Sequence, residues 1–326
     1  MIARILRTTV LALIATALAW AAYWLAHERP LWAAVGAVVI LLAHAPVLAF
    51  EFAMLTRLNR GDASPPARAG ELLRAWWREV LAGIVVFAWR QPFRSRSQAD
   101  HLPADARGRR AVVLVHGFMC NRGIWNPWMH TLRQRDVPFV AVTLEPAFDS
   151  IDHYAEIIDA AVQRVIATTE VPPLLVGHSM GGLAIRAWLR AHDDADARIA
   201  GVITIGAPHR GTWTARFGHG CNARQMRLQS DWLQALSASE TPARRARFTC
   251  YWSHCDNVAF PASTGTLDGA DNRHVRGRAH VDLVYASEIL TEVLAGVAGP
   301  AGLAANVRSP ASTTPASIVA SSRTSR

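Results

Sequence analysis

Ser179 stands in the stretch Val176-Gly177-His178-Ser179-Met180-Gly181-Gly182, where a G-x-S-x-G pattern separates the apolar run Pro173 to Val176 from the helix-like run Leu183 to Leu189. The apolar run reads as a short buried strand and the second run as a helix, so Ser179 falls on the turn between them. A reversal this tight holds its central residue in a strained conformation. Side chains at the flanking positions would collide with the strand and the helix, which accounts for Gly177 and Gly181. The turn, completed by His178, presents the Ser179 hydroxyl at a helix N-terminus, where the Met180 N–H can face a developing oxyanion.

A serine hydroxyl is a weak nucleophile at neutral pH and needs a base, which in turn needs an orienting acid. On a strand-turn-helix serine the chain order is serine, acid, histidine. Of the histidines after Ser179, His280 is the expected base, because Gly277-Arg278-Ala279-His280 forms a loop directly before the final helix. His274 falls in a short strand and His209 after a proline turn; both are poorer bases that would line the pocket. Asp256 follows the strand Phe248 to Trp252 on a carboxyl-end loop and is the expected acid. Asp268 and Asp271 remain alternatives, and Asp231, inside a helix, is a weak one. The second oxyanion donor should come from the loop after the first core strand, His116-Gly117-Phe118-Met119, with the Phe118 N–H as donor and His116 as a structural residue.

The elements that must position these residues begin at Ala111, where short apolar runs alternate with amphipathic ones, the pattern of a parallel sheet with crossover helices. Strands are expected at 111–115, 139–144, 173–176, 199–205, 248–252 and near 274–275. Helices are expected at 124–135, 154–168, 183–189, 222–239 and 281–294. The fold class is therefore α/β, a mostly parallel sheet with helices on both faces. The organisation expected is a helical hairpin at 1–56, a linker with an amphipathic helix at 57–109, the catalytic domain at 110–298 and a disordered tail at 299–326, poor in large apolar residues.

The N-terminal hairpin consists of the apolar runs Thr8 to Ala26 and Leu31 to about Phe52, joined by His27-Glu28-Arg29-Pro30. The first is long enough to cross a bilayer. A cleaved signal peptide ending near Ala17-Leu18-Ala19 is the competing reading, and the second run argues against it. Arginines before the first run and after the second (Arg57, Arg60, Arg68) place both ends, and with them the catalytic domain, on the cytoplasmic side of the membrane, with a periplasmic catalytic domain as the alternative. Leu72 to Trp89 reads as an interfacial helix, or else as one packed on the catalytic domain. All 34 basic residues are arginine and the net charge is +9, yet no nucleic-acid motif accompanies them, so the bilayer is the expected partner. The four cysteines match neither zinc-ligand nor redox spacing and read as free thiols. No cofactor and no metal is required.

The segments HGF (116–118), GHSMGG (177–182), GAPHRGT (206–212), CDNVAFPAST (255–264) and GRAHVDLVY (277–285), in this order and spacing, resemble the bacterial triacylglycerol lipase and esterase branch of the α/β-hydrolase superfamily. The resemblance covers about residues 110 to 295. It implies carboxylic-ester hydrolysis with Ser179 as nucleophile, Asp256 as acid, His280 as base, and Phe118 and Met180 as backbone oxyanion donors, acting on lipid or other hydrophobic acyl esters. The membrane hairpin departs from secreted relatives. No convincing calcium-ligand cluster is present, although Asp256 and Asp271 lie near where some relatives bind calcium. An acyltransferase using the same residues, and a catalytically silent hydrolase fold serving as a membrane interaction partner, are the rival readings. Trp125, Trp128 and Trp213 are either pocket or core residues.

Overall fold

The computed structural model describes residues 1–306, with side chains to residue 298. Six strands, β1 (Val112–Val115), β2 (Phe139–Ala141), β3 (Leu174–His178), β4 (Gly201–Ile205), β5 (Phe248–Trp252) and β6 (Asp271–His274), form one parallel sheet in the order β2-β1-β3-β4-β5-β6. Strand side chains alternate between faces, and both faces are covered. Val113, Val115 and Leu175 pack under the helices Ala155–Thr169 and Met180–Ala191. Val112, Leu114 and Val176 pack on the other side, against Trp125, Trp128, Met129 and the last helix, Ser287–Asn306. Strand order reverses between β1 and β3, so the loops after these strands leave a crevice at their carboxyl ends.

Several elements differ from the sequence reading, for local reasons. The helix expected over 222–239 is two, Cys221–Gln225 and Asp231–Ala238. Between them the Met226 carbonyl accepts the Thr212 N–H at 2.8 Å, which takes that segment out of helical pairing. The last strand is β6, ending at His274; as a polar edge strand it lacks the apolar run that marks the others. The last helix extends through Asn306, and the remainder of the tail expected from 299 lies outside the described residues.

At the N-terminus α1 (Ile2–Ala26) is long and apolar enough to cross a membrane. It packs along α2 (Pro30–Leu41), where Gly36 makes room for Trp20: a β-carbon there would overlap the indole. The second apolar run is not one straight helix. It breaks at Leu42-Ala43 and continues as α3 (His44–Leu58), bent by 53°. Pro46 explains the break, since it has no N–H to donate and its ring would clash with the Leu42 carbonyl of a continuous helix.

The end of α3 docks on the sheet domain. Phe52 and Leu55 pack with Cys255 and Phe260, and Asn59 Oδ1 accepts the Ala262 N–H at 3.0 Å. The next helix, α4 (Ala69–Gly83), continues through widened π-type turns at Ile84–Arg90 to Phe93. One face of this segment packs on the domain, where Ala75, Glu79, Val80 and Val86 are buried. Its other face leaves Leu73, Trp77, Leu81 and Trp89 exposed.

Candidate active site

Ser179 links β3 to the helix Met180–Ala191 with φ 55° and ψ −128°, a backbone that non-glycine residues adopt only when the surroundings enforce it. The enforcement is visible. The Ser179 N–H donates to the Ile205 carbonyl at 2.9 Å, and the Ser179 carbonyl accepts the Gly182 N–H at 3.0 Å. A β-carbon on Gly177 would lie 2.7 Å from Gly182 N, and one on Gly181 would lie 2.4 Å from the Val115 carbonyl oxygen. Both glycines are therefore demanded by backbone approach, as the turn required.

The loop after β1 reaches over the serine. A β-carbon on Gly117 would stand 2.7 Å from Ser179 Cβ and 3.3 Å from its Oγ. Met180 is the first residue of its helix and has no intrahelical acceptor. Among the described residues neither its N–H nor that of Phe118 is given to another group. His116 fixes this loop: its Nε2 accepts the Leu144 N–H at 2.9 Å, which makes Nδ1 the donor to the Gly117 carbonyl at 2.8 Å. Burial lowers its pKa to about 4, so the ring is neutral at all ordinary pH values.

The Asp256 and His280 side chains meet. His280 Nδ1 lies 2.9 Å from both Asp256 oxygens. Asp256 Oδ1 also accepts the Val258 and Ala259 N–H groups at 2.9 and 2.7 Å, which fixes the carboxylate on its loop. The pair sits against Gly206, next to the residue that bonds the Ser179 N–H. A β-carbon on Gly206 would lie 2.8 Å from Asp256 Oδ2 and 3.2 Å from His280 Nδ1. His178 packs on His280, ring centroids 4.7 Å apart, with its Nε2 donating to the His280 carbonyl at 3.3 Å. Burial lowers the His280 pKa, but the Asp256 charge and hydrogen bond, joined by Glu79 and Glu51, outweigh it and leave a net rise. His178 is held far below the ordinary imidazole range, first by burial and then by the neighbouring His280. Two adjacent imidazoles thus have opposite tendencies, and only His280 is poised to gain a proton. The Ser179 Oγ makes no hydrogen bond among the described residues, and bonds of this kind are often long in unliganded sites.

A family model for the alpha/beta hydrolase family matches residues 112–313. The chain belongs to this family. Among solved structures, this hydrolase is similar to Bacillus licheniformis lipase BlEst2 in mature form, at 14% identity with a TM-score of 0.50, over 56% of this chain and 91% of that one. The propeptide form gives 14% and 0.51, over 60% and 52%. Aspergillus fumigatus lipase B gives 19% and 0.47, over 54% and 48%, so the hydrolase spans about half the length of these two. At such identities the likeness is one of fold. A comparison with curated proteins finds no match.

The other candidates have partners of their own. His209 is buried, with Nε2 2.9 Å from Thr204 Oγ1, and burial followed by the Arg186 charge keeps it neutral. His274 Nε2 meets His254 Nδ1 at 2.8 Å, on the side facing Glu71. Asp268 pairs at 3.7 Å with Arg210, and Asp271 at 2.8 Å with Arg273. Asp231 is an exposed residue opening its helix. Trp125 and Trp128 are core, whereas Trp213 stacks on Phe260. All four cysteines are free. Among the described residues no cluster of three or more histidine, cysteine or acidic side chains is placed to hold a metal.

Sequence reasoning missed four residues around His280: Gly206, Asn257, Glu51 and Glu79. Gly206 and Asn257 lay inside motifs already singled out, at the end of β4 and beside Asp256. The two glutamates come from the N-terminal helices, and nothing in their local pattern points to the site.

Proposed function

We propose that this hydrolase is a membrane-anchored serine esterase acting on carboxylic esters of lipids or other hydrophobic acyl groups. Ser179 Oγ attacks the ester carbonyl while His280 Nε2 takes its proton, and the Phe118 and Met180 N–H groups receive the oxyanion. The tetrahedral intermediate collapses, the C–O bond to the alcohol breaks, and His280 returns the proton to the departing oxygen. Water, deprotonated by the same imidazole, then releases the acid and restores Ser179. Asp256 holds the imidazole through Nδ1 and stabilises the imidazolium.

The observations that support this reading are the strained Ser179 turn and the His280–Asp256 pair, with His280 Nδ1 2.9 Å from both carboxylate oxygens. Both are held at the end of β4: Ser179 through the Ile205 carbonyl and the pair against Gly206. A hydrophobic substrate is supported by an apolar groove of about 760 Å³ between α1, the α2–α3 break and α4, within the volume range of ligand sites. Leu13, Val38, Leu48 and Phe87 line it, with Thr9, His44 and Glu79 as its polar members. The exposed Leu73, Trp77, Leu81 and Trp89 on α4 add an apolar face suited to the headgroup boundary.

The test is labelling of the full-length protein, in detergent, with a fluorophosphonate probe, together with hydrolysis of aryl esters of increasing chain length. Ser179→Ala should abolish labelling and turnover, and full activity in that variant would sink the mechanism. Product analysis with added alcohols separates hydrolysis from acyl transfer.

A further inference from the structure

The backbone of His280 and its two successors is held by three side chains, His178, Asn257 and Glu79, and a fourth, Glu51, holds Asn257; the two glutamates come from the N-terminal helices. His178 bonds the His280 carbonyl at 3.3 Å, and the Asn257 Oδ1 accepts the His280 N–H at 3.2 Å. Asn257 Nδ2 in turn donates to Glu51 Oε2, on α3, at 2.7 Å. From α4, Glu79 Oε1 accepts the Val281 N–H at 2.9 Å and its Oε2 accepts the Asp282 N–H at 3.0 Å.

Glu79 is 3% exposed and, among the described residues, has no ion-pair partner. The nearby Arg78 and Arg278 are instead directed to Asp282, at 3.9 and 3.0 Å. A buried carboxylate without a cation is costly, and an apolar side chain would cover the domain equally well. What the carboxylate adds is two acceptors for adjacent N–H groups and a negative charge near the His280 ring. Asp256 from the loop after β5 and His178 from β3 touch that ring, and Glu79 from α4 and Glu51 from α3 act on it as nearby charges. Three of the four are acidic.

We propose that Glu79, with Glu51 acting through Asn257, is a positioning residue for His280: the N-terminal helices supply carboxylates that fix the His280–Asp282 backbone and favour the imidazolium formed during acyl transfer. The inference rests on His280 being the base. It makes the helical segment part of the catalytic unit and not a tether alone. Burial, opposed by the Val281 N–H and the His280 charge, raises the Glu79 pKa to about 7, so its charge is sensitive to events at the neighbouring ring.

The experiment is an NMR titration of the His280 imidazole in the full-length protein, its signal assigned by loss in His280→Gln, alongside kcat/KM against pH. Glu79→Gln keeps the size and one acceptor but removes the charge. The His280 midpoint should fall by on the order of half to one pH unit, and the acid limb of kcat/KM should move with it. Glu51→Gln should give a smaller shift in the same direction, and it decides the matter if Glu79→Gln does not fold. An unmoved midpoint in the folded variants, or a loss of kcat/KM uniform in pH, overturns the proposal. The NMR readout needs no turnover. Absence of esterase activity would overturn the proposed function, whereas an unmoved His280 in an active enzyme would overturn only this inference.

Discussion

Gly206 approaches Asp256 so closely that a β-carbon on the glycine would lie 2.8 Å from Asp256 Oδ2. Gly206 also has φ +57°, a conformation that costs other residues about 1–2 kcal/mol. Gly206→Ala should therefore push the acid and base out of register with Ser179 while leaving the sheet intact. A misplacement near 1 Å costs roughly 100-fold in rate, so kcat/KM should fall by about that factor with only a modest drop in Tm. Ester hydrolysis and a thermal melt of the same preparation check this, and wild-type turnover in the alanine variant would refute it.

The opposed tendencies of the histidines fix the pH dependence. In the proposed mechanism turnover needs His280 neutral, and its pKa is raised from the ordinary 6.5. The acid limb of kcat/KM should accordingly lie above the ordinary imidazole pKa, with activity lost as pH falls through it. His116 and His178 are neutral across that range and should contribute nothing to the limb. Asp256→Asn removes the charge that raises His280 most. The limb should move to lower pH and kcat should drop by roughly 10³- to 10⁴-fold. A limb that stays in place in the Asp256→Asn protein would assign the titration to another group.

The site was legible in the sequence where chemistry imposes backbone geometry. A strand-to-helix turn that carries a side chain at φ 55° must be flanked by residues without a β-carbon, so Gly177 and Gly181 announce Ser179 without any tertiary information. Buried parallel strands announce themselves as apolar runs, and β1, β3 and β4 begin within two residues of expectation. What depends on long-range pairing was not legible. Glu79 looks like one more polar residue on an amphipathic helix, and only the fold shows that its face is buried against Val281. The Met226 carbonyl leaves its helix because Thr212, far away in sequence, supplies the donor. Pro46 was visible, but its consequence, a bend that turns α3 down onto Phe260, needed the domain to be in place.

The break at Pro46 also sharpens what membrane anchoring predicts. The helix α1, with 25 residues, is about 37 Å long, more than the roughly 30 Å hydrocarbon core, whereas α2 has only 12 residues. If the hairpin crosses the bilayer, a cysteine at Glu28, in its tip, should react with impermeant maleimide from the face opposite to one at Arg96, beside the start of α1. On the proposed topology the arginine distribution predicts Arg96 on the cytoplasmic face. Cys221 is the one partly exposed native thiol and would be replaced by serine to remove background. Labelling of both positions from one face would show instead that the hairpin lies in a single leaflet.

Stability should hinge on a second buried charge, on the far side of the helix that follows Ser179. Arg186 Nε and Nη2 bond Glu240 Oε1 and Oε2 at 2.6 and 2.9 Å, with the two side chains 0% and 1% exposed. Arg186 also donates to the His209 carbonyl at 2.9 Å, tying the loop after β4 to this helix. Removing one member of such a pair strands the other and costs about 3–5 kcal/mol, whereas replacing both by apolar residues is often near neutral. Arg245 Nε stays 3.3 Å from Glu240 Oε2 and softens the loss. Arg186→Met should therefore destabilise toward the lower end of that range, and Arg186→Met with Glu240→Leu should recover most of it. Chemical denaturation of the three proteins reads this directly. Equal stabilities for the single and double variants would mean that the buried Glu240 does not depend on its partner.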